Sequence, residues 1–135
     1  MTTTTAPRRT TSRAANAGLW TLQVLLAAVY AFSAYGKLTA DAQNVAGFEA
    51  MGLGTPGMYA IGALELAGAI AMFIPILTGL AAACFVALMI GAVVITLAMG
   101  GGTLAAIPAV VGVLAAVVAW GRRDSTRALV QRIRP

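Results

Sequence analysis

The chain has 135 residues, of which 60% are hydrophobic and 10% charged, and its mean hydropathy is +0.89. Soluble domains carry about 45–50% apolar and about 25% charged residues, and the run Leu66–Gly121 contains no charged side chain at all, so a water-soluble globule is excluded. The net charge of +5 comes from arginines crowded at the two ends, with Lys37 alone between them; without interleaved stacking aromatics this is not a nucleic-acid surface.

Composition also removes whole classes of chemistry. There is no histidine, and Cys84 is the single cysteine. A His or Cys zinc site, haem ligation through His, a disulfide within the chain and a CxxC redox pair are all ruled out. So is a Ser/His/Asp or Cys/His catalytic set, and no phosphate-binding glycine loop with its lysine is present. The residues speak against a stand-alone enzyme, and no intrinsic cofactor or metal is expected. Cys84 itself reads as a small, inert, buried hydrophobe.

Taken in chain order, Met1–Asn16 is rich in threonine, carries Arg8, Arg9 and Arg13, and shows no apolar period; it reads as a disordered basic cytoplasmic tail, residues 1–16. The Arg8-Arg9 pair is not read as a twin-arginine signal, because the apolar run after it exceeds the roughly 7–15 residues of a signal core. Ala17–Tyr35 is a first span, near the 20 or so residues a transmembrane helix needs, with Trp20 and Tyr35 at its ends where aromatic rings prefer the headgroups. Lys37–Pro56 is the only polar segment of the body. Within it Asp41–Met51 reads as a short helix, started near Thr39 or Ala40 and stopped by Gly52. Val45, Phe48 and Met51 give it an apolar face that would lie at the interface or dip into the mouth of a bundle.

Gly57–Leu77 is the second span, interrupted only by Glu65, and Pro75, Thr78 and Gly79 mark the turn after it. Gly79–Met99 is the third and Leu104–Trp120 the fourth, separated by Gly100-Gly101-Gly102. Pro108 falls in the first turns of the last helix, where proline is tolerated. The expected fold is an all-α membrane protein: residues 17–121 form an antiparallel bundle of four transmembrane helices, with a short interfacial helix between spans 1 and 2. Residues 122–135 form a second basic cytoplasmic tail. Four crossings place both tails on one side, and their arginines place that side in the cytoplasm of a multi-pass plasma-membrane protein. Close helix packing is expected along stripes of small residues: Ala63, Ala67 and Ala71 in the second span, Gly79, Ala83, Ala87 and Gly91 in the third, Ala105, Ala109, Gly112 and Ala116 in the fourth. These stripes serve a monomer and an oligomer equally.

Glu65 is the one ionisable side chain inside a span. An acid at mid-helix costs about 2.5–3.5 kcal/mol on insertion scales, which makes it a functional candidate with a partner to be found. The first span supplies a polar face: Gln23, Tyr30, Ser33 and Lys37 align on one side of a helix, and Tyr30 lies at about the depth of Glu65. Glu65, Lys37, Tyr30 and Ser33 therefore form a candidate ligand or proton site open to the outside, with Thr96 adding a hydroxyl. Two plainer roles compete. Glu65 can be protonated and hydrogen-bonded to Tyr30 as helix glue, and Lys37 can be an interfacial anchor.

Three segments carry a likeness: Trp20–Lys37 with its Gly36-Lys37 end, Phe48–Pro56, and the Gly-x-x-Glu-x-x-Gly of Gly62, Glu65 and Gly68. In their order and spacing the chain resembles the DoxX-like family of small bacterial membrane proteins over about residues 17–121. The resemblance implies a four-span inner-membrane protein. The family name comes from subunits associated with quinone-linked oxidation of thiosulfate, and relatives are associated with redox homeostasis. Glu65 and Lys37 fall on matching positions. Members often carry a histidine in the third span, where this chain has Ala92-Val93-Val94-Ile95-Thr96, so histidine-dependent chemistry does not transfer. The resemblance implies an accessory or anchoring subunit of a quinone- or thiol-linked membrane redox system, with a quinone or another lipophilic molecule as guest and a redox partner protein as electron source. The residues leave open a proton-coupled small-molecule transporter and a passive membrane scaffold.

Overall fold

The computed structural model describes residues 12–135, and every regular element among them is helical. In order these are α1 Arg13–Leu38, α2 Ala42–Ala50, α3 Gly54–Ala71, α4 Thr78–Ala98, α5 Ala106–Gly121 and α6 Arg123–Ile133, with a 3-10 turn over Gly102–Ala105 leading into α5. Arg13–Leu38, Thr78–Ala98 and Gly102–Gly121 are long and apolar enough to cross a membrane. Glu65, Pro56 and a glycine-rich start keep α3 out of that class. At 18 residues it is still about 27 Å long at 1.5 Å per residue.

The helix boundaries have local causes, and several differ from the sequence reading. Most of the expected tail, 1–11, lies outside the described residues. Its last part does not behave as a tail: α1 begins at Arg13 because Ser12 caps it, the Ser12 hydroxyl accepting from the Ala15 N–H at 3.1 Å. The cap of α2 is Asp41, whose carboxylate accepts from the Gln43 N–H at 3.3 Å, rather than Thr39 or Ala40. Ala40 instead turns the chain with a φ of +54°, and Gly52 stops α2 as expected with a φ of +76°. Helix α3 ends at Ala71, well before Leu77. Pro75 has no N–H and disfavours helical geometry at Ile74, so the chain runs through turns to Thr78, whose hydroxyl donates to the freed carbonyls of Met72 at 3.2 Å and Ile74 at 3.1 Å. The C-terminal segment 122–135, expected only as a basic tail, is largely helical as α6.

Contacts between distant residues fix how the helices run. Gln23 near the start of α1 meets Met72 just past the end of α3, while Lys37 at the far end of α1 meets Gly62. Leu19 packs on Gly121 at the end of α5, and Met89 of α4 packs on Gly112 of α5. The core where these helices meet is Leu26, Ala27 and Tyr30 from α1, Ala69 from α3 with Met72 beyond it, Ala82 and Phe85 from α4, and Ala115 and Val118 from α5. At its centre the Tyr30 and Phe85 rings stack, centroids 3.6 Å apart and 8° from parallel. Outside this core the helices present apolar side chains outward, up to Phe32 at 81% exposed. Such a surface belongs in hydrocarbon.

The expected small-residue stripes make the seams only in part: Gly79 and Ala105 are buried and Gly112 packs on Met89, but most of their members face outward. Ala63 and Ala67 of α3, Ala83, Ala87 and Gly91 of α4, and Ala109 and Ala116 of α5 are exposed. The Tyr30–Phe85 stack turns the bulky face of α4 inward and rotates its small residues out. Close approach is made at single glycines: Gly68 lies under the Phe85 ring, and Gly79, the first residue of the expected α4 stripe, lies against the corner between α5 and α6. A Cβ on Gly79 would stand 2.7 Å from the Arg122 carbonyl oxygen, a backbone atom that cannot swing aside. Gly79→Ala is therefore expected to destabilise the fold by about 1–3 kcal/mol, seen as a lower thermal unfolding midpoint in detergent. Gly91→Ala, with nothing within 4 Å of the added carbon, is expected to leave the midpoint unchanged.

Candidate functional site: a buried ion pair at the head of a lateral groove

Ser33 and Lys37 are one turn apart on α1 and face Glu65 on α3, as the spacing predicts. The Lys37 ammonium lies 3.0 Å from Glu65 Oε2 and donates to Oε1 at 3.3 Å. It also donates to the Ser33 hydroxyl, which in turn donates to Glu65 Oε1 at 3.3 Å. The three side chains close a ring of contacts between two helices. Gly62, one turn before Glu65, makes this approach possible: a Cβ there would meet the Lys37 Cβ at 3.0 Å. Gly36 does the same for α2, since a Cβ on it would run into Asn44 at 2.8 Å.

The pair is withdrawn from the surface, Lys37 being 9% and Glu65 4% exposed. The ammonium is thus directed to the glutamate, not to the interface as an anchor would be. Charges in a low-dielectric setting attract strongly, but both have lost their hydration. The net contribution of the pair to stability is small; the cost of stranding a member that cannot reach water is large.

The cluster opens on a groove of about 880 Å³ between α3 and α4. Ser33, Lys37 and Glu65 supply its polar head, Phe48 and Met51 of α2 flank the mouth, and the walls run along both helices to Leu77 and Leu80. Apart from that head the lining is almost wholly apolar. The helix α2 thus dips into the mouth and buries Phe48, one of the two placements its apolar face allows. Exposed wall residues such as Leu64 and Leu80 show that the groove is open sideways, toward what surrounds the helices.

The remaining candidates are placed less centrally. Tyr30 is 2% exposed, but its hydroxyl has no hydrogen-bond partner and does not bond Glu65. Stacking on Phe85 fixes the ring, and the phenol does not reach the groove. Thr96 lines the groove near its mouth, with its hydroxyl donated to the Ala92 carbonyl of its own helix at 2.7 Å. Cys84 is an exposed groove residue, not a buried one. No group of acidic or cysteine side chains among the described residues is arranged to hold a metal ion.

A second polar centre, at the opposite end of α1, was not anticipated. Gln23 is buried, donating to the Met72 carbonyl at 3.0 Å and accepting from Arg122 Nε at 2.8 Å. Arg122 also donates to the Asn16 side chain at 2.9 Å and lies 5.7 Å from the centroid of the Trp20 ring. Desolvation lowers the Arg122 guanidinium below its ordinary range, though an arginine stays charged at any ordinary pH. The available signal was a glutamine in an apolar span together with an arginine ending another span on the same side. Arg122→Met strands the Gln23 oxygen and is expected to cost about 1–3 kcal/mol, whereas Arg132→Met, at an exposed position, is expected to leave the thermal midpoint within about 0.5 kcal/mol of the parent.

The sequence model of the DoxX-like family matches residues 21–118. No curated protein and no solved structure matches the chain. The matched stretch holds the polar head and nearly the whole groove, from Ser33 and Lys37 through Glu65 to Thr96. An integral membrane protein with apolar helices and this match over most of its length belongs to the DoxX-like family.

Proposed function

We propose that the chain is a four-span accessory subunit of a membrane redox system that holds a quinone in the groove between α3 and α4, its head at Lys37, Ser33 and Glu65. The observation that carries this reading is a sideways-open apolar groove of about 880 Å³ with its only strong polar groups gathered at one end. Its chemistry matches a molecule with an oxygen-bearing head and a long apolar tail, reached from the bilayer. A quinone carbonyl would accept a hydrogen bond from the Lys37 ammonium, and from Ser33 once its hydroxyl turns from Glu65 to the guest. A bound quinone would supply two-electron, two-proton chemistry, with both electrons from a partner protein. This chain's own part would be to hold the head at Lys37 and Ser33 and to relay the two protons to it one after the other through Glu65, which is reloaded from the mouth of the groove between transfers. Membership of a family named for quinone-linked subunits supports the same assignment.

In this reading α3 is the fourth crossing. Its length of about 27 Å approaches the 30 Å or so of the hydrocarbon core, and Lys37 offsets the charge of Glu65. Trp20 and Trp120 mark one membrane interface, Tyr35 and Tyr59 the other. The arginines after α5 lie at the tryptophan end, which makes that end cytoplasmic and brings both termini to it.

The test is equilibrium binding of a short-tailed ubiquinone or menaquinone to the full chain in nanodiscs. Saturable binding is expected, weakened about tenfold in Glu65→Gln and by up to about tenfold in Ser33→Ala, since a neutral hydrogen bond contributes about 0.5–1.5 kcal/mol. Partitioning that never saturates, and is alike in all three proteins, overturns the reading.

A further inference from the structure

We infer that the trough between α1 and α5 at the arginine-rich end is a site for one anionic phospholipid, with Arg123 as the phosphate ligand. The trough measures about 780 Å³. Gly18 and Leu22 form its α1 wall, Val117 and Trp120 its α5 wall, and Arg123 and Asp124 stand at its rim. Nothing lies within 4 Å of the Cβ position of Gly18, so the floor is open.

Arg123 is held ready at this rim. Its guanidinium lies 4.8 Å from the centroid of the Trp120 ring, and Nη1 donates to the Trp120 carbonyl at 3.0 Å. Its other N–H groups have no protein acceptor among the described residues. A planar guanidinium fixed in this way forks a phosphate with two parallel hydrogen bonds. Asp124 does not cancel its charge, because the carboxylate lies 3.5 Å from Arg127 and both are exposed. Arg127 offsets Asp124 and Arg122 is turned to Gln23 and Asn16, so Arg123 alone sets the positive charge of the rim.

The height of the rim in the membrane follows from α6. Thr126, Leu129, Val130 and Ile133 share one face of that helix. Thr126 seats this face on Gly79 at the start of α4, and Val130 and Ile133 continue it beyond the protein, 48% and 72% exposed. Asp124, Ala128 and Gln131 fall on the opposite face of the helix and are exposed. A helix of this kind lies in the plane of the headgroups, and Arg123, its first residue, is then level with lipid phosphates. The trough below Arg123 is walled by two helices apolar enough to cross a membrane. A soluble anion could use only the arginine; a phospholipid uses the arginine with its phosphate and the trough with an acyl chain.

Native mass spectrometry of the full chain in detergent, with phosphatidylglycerol or phosphatidylcholine added, tests this. The parent is expected to retain one phosphatidylglycerol in clear excess over phosphatidylcholine. Arg123→Gln is expected to lower that retention about tenfold, and Arg132→Gln to leave it unchanged. Gly18→Leu, which fills the trough with Arg123 intact, is expected to lower it as well. Equal retention of the two lipids, an Arg132→Gln loss as large as that of Arg123→Gln, no loss in Gly18→Leu, or displacement of the lipid by inorganic phosphate would each overturn the assignment.

Discussion

Lys37→Met is expected to lower the stability of the fold by about 3–5 kcal/mol, the cost of stranding one member of a buried ion pair. Glu65 would keep its place between α1 and α3 with Ser33 as a remaining partner and no countercharge. It can neither reach water, being 4% exposed, nor find another cation. The reverse change, Glu65→Gln, is milder, at about 1–2 kcal/mol. The amide still accepts from Ser33 and Lys37, and the long lysine stem can carry its ammonium outward. Exchanging both residues for methionine removes both charges together and is expected to restore most of the stability lost in Lys37→Met. Denaturant or thermal unfolding in a mild detergent checks all three. A double variant no more stable than Lys37→Met would mean that the ion pair is not what joins the two helices there.

Gly91→Phe is expected to abolish guest binding and leave the fold intact. Gly91 lines the groove, and a Cβ built on it meets nothing within 4 Å. A benzyl group there fills space that the polar head does not use, about one turn from Thr96 and away from the Tyr30–Phe85 stack. Removing glycine from a helix interior is itself favourable by about 0.5–1 kcal/mol, so the unfolding midpoint should hold or rise. Quinone affinity should fall by about tenfold or more, or some 1.4 kcal/mol. An unaltered affinity would place the guest outside the groove.

The site was legible in the sequence where it depends on one helix at a time. The four-residue step from Ser33 to Lys37, and the shared face of Met58, Gly62, Glu65, Ala69 and Met72, follow from helical periodicity alone, and the structure buries the second set as a block. The part that depends on two helices meeting was not legible. Tyr30 lies near the depth of Glu65, yet its orientation is set by the ring of Phe85, a residue on another helix with no periodic relation to it. The same stack explains why most members of the small-residue stripes face outward. Two local causes were also hidden: Pro75 ends α3 early through its effect on the residues before it, and arginines interleaved with Thr126, Leu129, Val130 and Ile133 mask the period of α6. The sequence shows the charge of Arg122, but its half-buried position depends on Gln23, about a hundred residues away in the chain.

A lipophilic guest is proposed to sit in the groove between α3 and α4. Photolabelling of the full chain in nanodiscs with an azido-quinone, followed by peptide mapping, tests this placement most directly. Label is expected on α3 around Glu65 and on α4 between Leu80 and Thr96, displaced by excess unlabelled quinone and lost in Gly91→Phe. Label spread evenly over lipid-facing residues such as Phe32 and Val113, and unmoved by competitor, would contradict it.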